Sequence, residues 1–234
     1  MASYGSGPIL SLHDVSLTER RASPEAGTLN LELGHGTVTM VETGDGSDAD
    51  LLIDLCLGLS APARGDVIFL GEAWRMRSYH DNLGLRGHIG LLTGSQTWPA
   101  DLSIAEAVLM ARLYHTKQPL DDAIAAATIL ARRFGLPGLP AGSRESVPAG
   151  QLTRSACVRA FCGTPELVLV SDSTLEGMAE LGIAMAQAIA EVQDRGGAVL
   201  WLVDTVEAPA AHFVRADQTF RFGERGFVPA RRTP

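Results

Sequence analysis

The sequence predicts an α/β fold with an N-terminal β-rich part and an inserted helical block, on three observations. Short apolar runs that read as strands alternate with stretches of helical pattern. A glycine-rich turn at 43–48 joins one such run directly to a helical stretch. A Gly/Pro-rich linker at 135–142 returns the chain from two successive helices to the strand-and-helix pattern. The 234 residues, 46% of them hydrophobic, suffice to build a substantial core.

Taken in order, strands are expected at 9–13, 37–41, 66–70, 88–92, 167–170, 198–203 and 218–221. Several are near-continuous apolar runs, the pattern of strands covered on both faces. A helix is expected at 49–57, after the glycine-rich turn, and another at 103–114, where Ser103 and Glu106 form a capping box. The stretch 121–134 follows, with Gly135 placed to end it. Helices at 151–162 and 175–195 come last, the second closed by Gly196 and Gly197. The expected division is one domain: a core at about 1–100 and 143–234, with a helical subdomain at about 101–142.

Lys and Arg total 19 against 27 Asp and Glu, a formal charge of -8. Nucleic-acid binding needs a basic face to neutralise phosphates, so this balance argues against it. No apolar run approaches the roughly 20 residues of a membrane-spanning helix, and the N-terminus lacks a signal-peptide pattern. Cys56, Cys157 and Cys162 have no metal-ligand spacing and are expected as buried, reduced thiols. The scattered histidines suggest no metal site either.

Four segments, in order and at consistent spacing, resemble landmarks of ABC ATPases. Residues 31–41 run into Thr43, Gly44, Asp45, Gly46, Ser47, Asp48, Ala49 and Asp50, similar to a strand, phosphate loop and helix. Residues 88–92 and 101–108 resemble the segment around the Q-loop. Ala149, Gly150, Gln151, Leu152, Thr153 and Arg154, followed by 159–167, resemble the signature motif, its helix and the Walker B strand. Residues 198–204, with Glu207 and Ala208, resemble the switch strand. The resemblance is to the ATP-binding cassettes of ABC transporters, and it implies a P-loop NTPase-like core. A weaker similarity, at 132–137, is to the Mla-type lipid transport systems.

A phosphate loop works through backbone N–H groups at a helix N-terminus, a lysine on the β- and γ-phosphates, and a Ser/Thr hydroxyl on Mg²⁺. Anchoring on Gly58 and Leu59 places Ala49 at the lysine position and Asp50 and Leu51 at the hydroxyl positions. Anchoring on Gly44 and Gly46 places Ser47 there instead. Neither register supplies a lysine, because the only one in the chain is Lys117. Glu42, Asp45, Asp48 and Asp50 crowd the site, and two like charges about 4 Å apart repel by about 4 kcal/mol at an effective dielectric of about 20. Asp48 or Asp50 is expected to cap the helix.

The other landmarks depart in the same direction. The Mg²⁺-binding Asp of the Walker B strand becomes Ser171, the catalytic Glu becomes Asp172, and the switch histidine becomes Val203. The adenine-stacking aromatic falls near Glu19, and the Q-loop glutamine at Gly94, with Gln96 close by. The resemblance therefore implies a degenerate cassette that binds neither ATP nor Mg²⁺ itself, these belonging to a partner's site. Its implied partners are an ABC permease, a second ABC ATPase subunit, or both, which would hold it in the cytoplasm at the inner membrane. The alternative is an active ATPase that uses Asp172 in a composite site with a partner cassette.

In the signature-like segment Pro148 lacks both a hydroxyl and an N–H. Ala149, Gly150, Gln151 and Arg154 leave two readings open: a weakened cap over a partner's ATP, or an ordinary helix start. Trp98, Leu102, Leu113 and Tyr114 are the expected partner-docking residues, as aromatic anchors are common at interfaces.

Overall fold

The computed structural model describes residues 7–17, 27–44, 46–93, 98–115, 119–171, 179–205, 213–223 and 225–230. Strands β1 (Leu10–Ser16), β2 (Leu29–Leu33), β4 (Arg64–Phe69) and β5 (Glu72–Ala73) form an antiparallel sheet in the order β2-β1-β4-β5. A second sheet runs β10-β9-β3-β8-β7-β6, from β3 (Val38–Glu42), β6 (Ile89–Leu92), β7 (Leu167–Ser171), β8 (Ala198–Val203), β9 (Gln218–Gly223) and β10 (Gly226–Pro229). Its neighbours are parallel except for β10, which returns antiparallel on β9.

The apolar runs have a simple physical cause. The parallel sheet is covered on both faces, so successive residues of β8 enter opposite cores. Val199, Trp201 and Val203 face α3 (Ile104–His115), α4 (Leu120–Arg133), α5 (Ala149–Phe161) and α6 (Gly182–Asp194). Ala198, Leu200 and Leu202 face the antiparallel sheet and α1 (Gly46–Cys56). Strand β2, by contrast, alternates buried and exposed residues and buries one face only.

Local signals set the helix ends. Before α3, the Ser103 backbone N–H donates to Glu106 Oε2 at 2.8 Å while Ser103 Oγ accepts from the Glu106 N–H at 3.2 Å, the reciprocal capping box. After α4, Leu136 N–H donates to Ala131 O and Gly135 N–H to Arg132 O, with Gly135 at φ +78°. This left-handed turn satisfies two end carbonyls and favours a residue without a Cβ.

Helix α1 begins at Gly46, three residues earlier than expected. Asp48 lies inside the first turn, at the positive end of the helix, and Asp50 lies beyond it, exposed, so Asp50 does not cap the helix. Helix α2 (Tyr79–Arg86), capped by Ser78, was absent from the sequence reading. The expected helix at 175–195 is shorter: 179–181 form a 3-10 turn, α6 starts at Gly182, and 175–178 lie outside the described residues. Cys56 and Cys157 are free and buried, and burial pushes both thiols up to about 12.

Candidate functional site

The C-terminal ends of β3, β8 and β7 lie side by side, and α1 departs from them. This is the crevice where ligands enter open parallel α/β sheets. Glu42 pairs with Val203 in register, and Ser171 with Leu202. Thr43 is buried, and its N–H donates to Val203 O at 2.9 Å, which fixes where the chain leaves β3. Gly44 follows at φ +72°, and α1 begins two residues on. The loop is therefore placed as a phosphate loop would be.

Its chemistry differs. From Thr43 to Leu59 the chain carries Asp45, Asp48, Asp50 and Asp54 and no basic residue. Arg221, the cation on neighbouring β9, is engaged: its Nε donates to Glu42 Oε1 at 3.1 Å and its Nη2 to Oε2 at 3.4 Å. Glu42 is thus turned toward β9 and paired with Arg221. Asp45 lies outside the described residues. Asp48 sits in the first turn, at the positive end of the helix. Among the described residues no cluster of metal-ligating side chains occurs. The segment from Thr43 to Leu59 therefore offers a phosphate no side-chain cation.

Ala49 is 3% exposed and packs in the core beneath the sheet with Leu52 and Ile53. A lysine at 49 would be buried. Position 47, the lysine position of the alternative register, lies in the first turn of α1. Ser171 is buried at the end of β7, and Val203 places its side chain in the helical core and its carbonyl on Thr43. Glu19, Gly94, Gln96, Lys117, Asp172, Glu207 and Ala208 lie outside the described residues.

The signature-like residues separate into two groups. Pro148 caps α5 through its backbone oxygen, which accepts from Gln151 N–H at 2.9 Å and Leu152 N–H at 3.0 Å. Ala149, Gly150 and Gln151 are exposed there. Arg154 is not part of that surface. Its Nη1 donates to Phe134 O at 2.7 Å, and its Nη2 to Glu180 Oε1 at 2.9 Å. It ties the end of α4 and the turn before α6 to α5, and it is a latch within the chain. Sequence reasoning missed this, because Glu180 is 26 residues away and Phe134 offers only a carbonyl.

The expected docking residues also divide. Trp98 is 6% exposed and belongs to the core, with the Arg159 guanidinium 4.4 Å from its ring centroid. Burial pulls Arg159 below the usual guanidinium range. This corrects the expectation of Trp98 as a surface anchor: the ring fills space beside α5 and is unavailable to a partner. Leu102 is half-buried against the same core. Leu113 is exposed, and Tyr114 is 72% exposed.

No family model matches the sequence. Among solved structures, the dimeric MJ0796, described as a bacterial ABC transporter cassette, matches with a TM-score of 0.80 at 15% identity, over 93% of this chain and 96% of that one. The same cassette in a post-hydrolysis state bound to ADP and Pi matches equally. CbiO1 from Clostridium perfringens, described as part of the ABC transporter complex cbiONQ, gives a TM-score of 0.73 at 17% identity, over 95% of this chain and 87% of that one. At such identities the likeness speaks to architecture, and the chain has the α/β fold of the P-loop ATP-binding cassettes of ABC transporters.

Proposed function

We propose that this chain is an ATP-binding-cassette subunit of an ABC transporter that does not hydrolyse ATP by itself. Its role is structural or regulatory, beside a permease, an active ATPase subunit, or both. The observation that carries the reading is that the loop between β3 and α1 has no cation, in a chain whose one lysine is at 117. Ser171 and Val203, at the ends of β7 and β8, support it, since neither holds Mg²⁺ as a carboxylate would nor aligns water as a histidine would. ATP and Mg²⁺ belong in this reading to a partner's site, which Ala149, Gly150 and Gln151 would face.

The division into a core at about 1–100 and 143–234 and a helical subdomain at about 101–142 belongs to the same proposal. So does a cytoplasmic position at the inner membrane, held through partners: among the described residues no helix is long and apolar enough to cross a membrane. The narrower Mla-type assignment rests on 132–137 alone. The alternative, an active ATPase with a composite site, rests on Asp172.

Melting the purified chain with ATP and Mg²⁺ tests the proposal. Ligand at a hundred times its Kd stabilises by about 2.7 kcal/mol, so no shift is expected at millimolar nucleotide. A shift corresponding to sub-millimolar affinity would sink the reading. Mass spectrometry of the complex that co-purifies with the chain tests the partner assignment.

A further inference from the structure

A second concave site lies away from the phosphate loop, in a cleft of about 180 Å³ between α4, the end of α5 and α6. Its wall is apolar, from Leu130, Phe161 and Ala188. Ile129, at its edge, is an uncovered β-branched residue. The rim is cationic. Arg133 Nη1 donates to Glu191 Oε2 at 2.8 Å, joining α4 to α6 across the cleft. Arg195 stands beside that pair and makes no ion pair among the described residues. Arg112, from α3, lies against Gly163 on the same wall. Two guanidinium groups, Arg133 and Arg195, and one carboxylate, Glu191, therefore line the cleft.

We propose that this cleft binds a small amphipathic anion: a carboxylate on a short apolar tail, with the tail on Leu130 and Phe161 and the charge at Arg195. A cleft this small limits the ligand to a short tail, and a six-carbon acid serves as the trial ligand. Glu191 makes no ion pair with Arg195 among the described residues and accepts its hydrogen bond from Arg133. It is committed to Arg133, whose hydrogen bond holds it below the usual carboxylate range, with a further contribution from the charge of Arg195. It therefore stays ionised and paired while Arg195 remains available. A bound ligand would join α4 to α6 in addition to the Arg133–Glu191 pair, stiffening the joint between the helical block and the sheet-packed helix.

The test titrates the full-length chain with hexanoate, hexan-1-ol and sulfate, by calorimetry and amide NMR. Hexanoate is expected to saturate, with shifts confined to α4, α6 and the end of α5. Hexanol and sulfate should bind at least about tenfold more weakly, since each lacks half of the recognition. Arg195→Ala removes the charge, and Ala126→Trp fills the mouth from an exposed position on α4. Each should weaken hexanoate by about tenfold or more with the melting temperature unchanged. No saturation by hexanoate, equal binding of hexanol or sulfate, or binding untouched by either variant overturns the proposal.

Discussion

Replacing Arg154 by Ala should destabilise the chain by about 2 kcal/mol, almost all of it through one hydrogen bond. Its Nη1 donates to Phe134 O at 2.7 Å, at the end of α4, where a charged donor meets an orphan helix carbonyl. Hydrogen bonds to charged groups contribute about 1.5–3 kcal/mol. The bond to Glu180 adds less. Arg154 is 21% exposed and Glu180 60% exposed, and pairs this open to solvent contribute about 0.2–1 kcal/mol. Glu180→Ala should therefore cost well under half of what Arg154→Ala costs. For a chain of this size, about 2 kcal/mol lowers the melting temperature by about 4–8 °C. Urea denaturation should show a lower midpoint with an unchanged slope, the mark of lost stability in an unchanged native fold. Arg154→Lys should fall between, as a point charge cannot reproduce the fork. If Arg154→Ala stays within about 0.5 kcal/mol of the parent, or Glu180→Ala costs as much, the latch is wrong. Arg154 would then be free to face a partner's phosphate.

Trp98→Ala should cost about 3–5 kcal/mol, as truncation of a buried aromatic does, while Tyr114→Ala should stay within about 0.5 kcal/mol. Thermal melts would decide between them, and a partner pull-down with the Tyr114 variant would then report docking alone. Ala49→Lys should destabilise severely because it buries an ammonium in the core, whereas Ser47→Lys with Asp48→Ser should fold. Neither repair should release phosphate in steady state, because Ser171 and Val203 are unchanged; turnover would refute the assignment of β7 and β8. Glu106 is held below its ordinary value of 4.5, first by the Ser103 hydroxyl and then by the Ser103 N–H. Its contribution is complete above pH 4.5 and is lost as pH falls through the lowered value. The melting difference between parent and Glu106→Gln should therefore vanish in acid; a difference that persists there would refute the charged capping box.

What the sequence made legible was what local chemistry decides. β7 and β8 lie within a residue of expectation because a strand buried on both faces must be apolar throughout. α3 and α4 were bounded by Ser103, Glu106 and Gly135, which act over one helical turn. α2 left no trace because it buries none of its side chains and carries Gly84 inside it. Trp98 was misplaced because it packs in a core drawn from several elements, many of them remote in sequence, with the Arg159 guanidinium over its ring. For the same reason Glu42 read as one of several repelling carboxylates, when Arg221 on β9 was there to pair with it. At the site, the residue types were readable and the partners were not.

Both ends of α1 are held by residues of the chain itself. At the C-terminus, Gly58 turns left-handed, and its N–H and that of Leu59 satisfy Leu55 O and Asp54 O. The remaining carbonyls go to side chains. Trp74 Nε1 donates to Cys56 O at 3.1 Å, Arg86 Nε to Leu57 O at 2.9 Å, and Arg86 Nη2 to Gly58 O at 2.9 Å. Trp74 is itself fixed by stacking on Phe69, with ring centroids 5.5 Å apart, and the Arg86 guanidinium lies 5.6 Å from its ring. A cation thus sits at the negative end of α1 while Asp48 occupies the first turn at the positive end, so the chain's own residues complement the dipole at both ends. In a nucleotide-binding loop the phosphate performs the second of these roles and the helix gains stability on binding. A phosphate brought to this helix start would meet the Asp48 carboxylate already in the first turn, and two like charges repel.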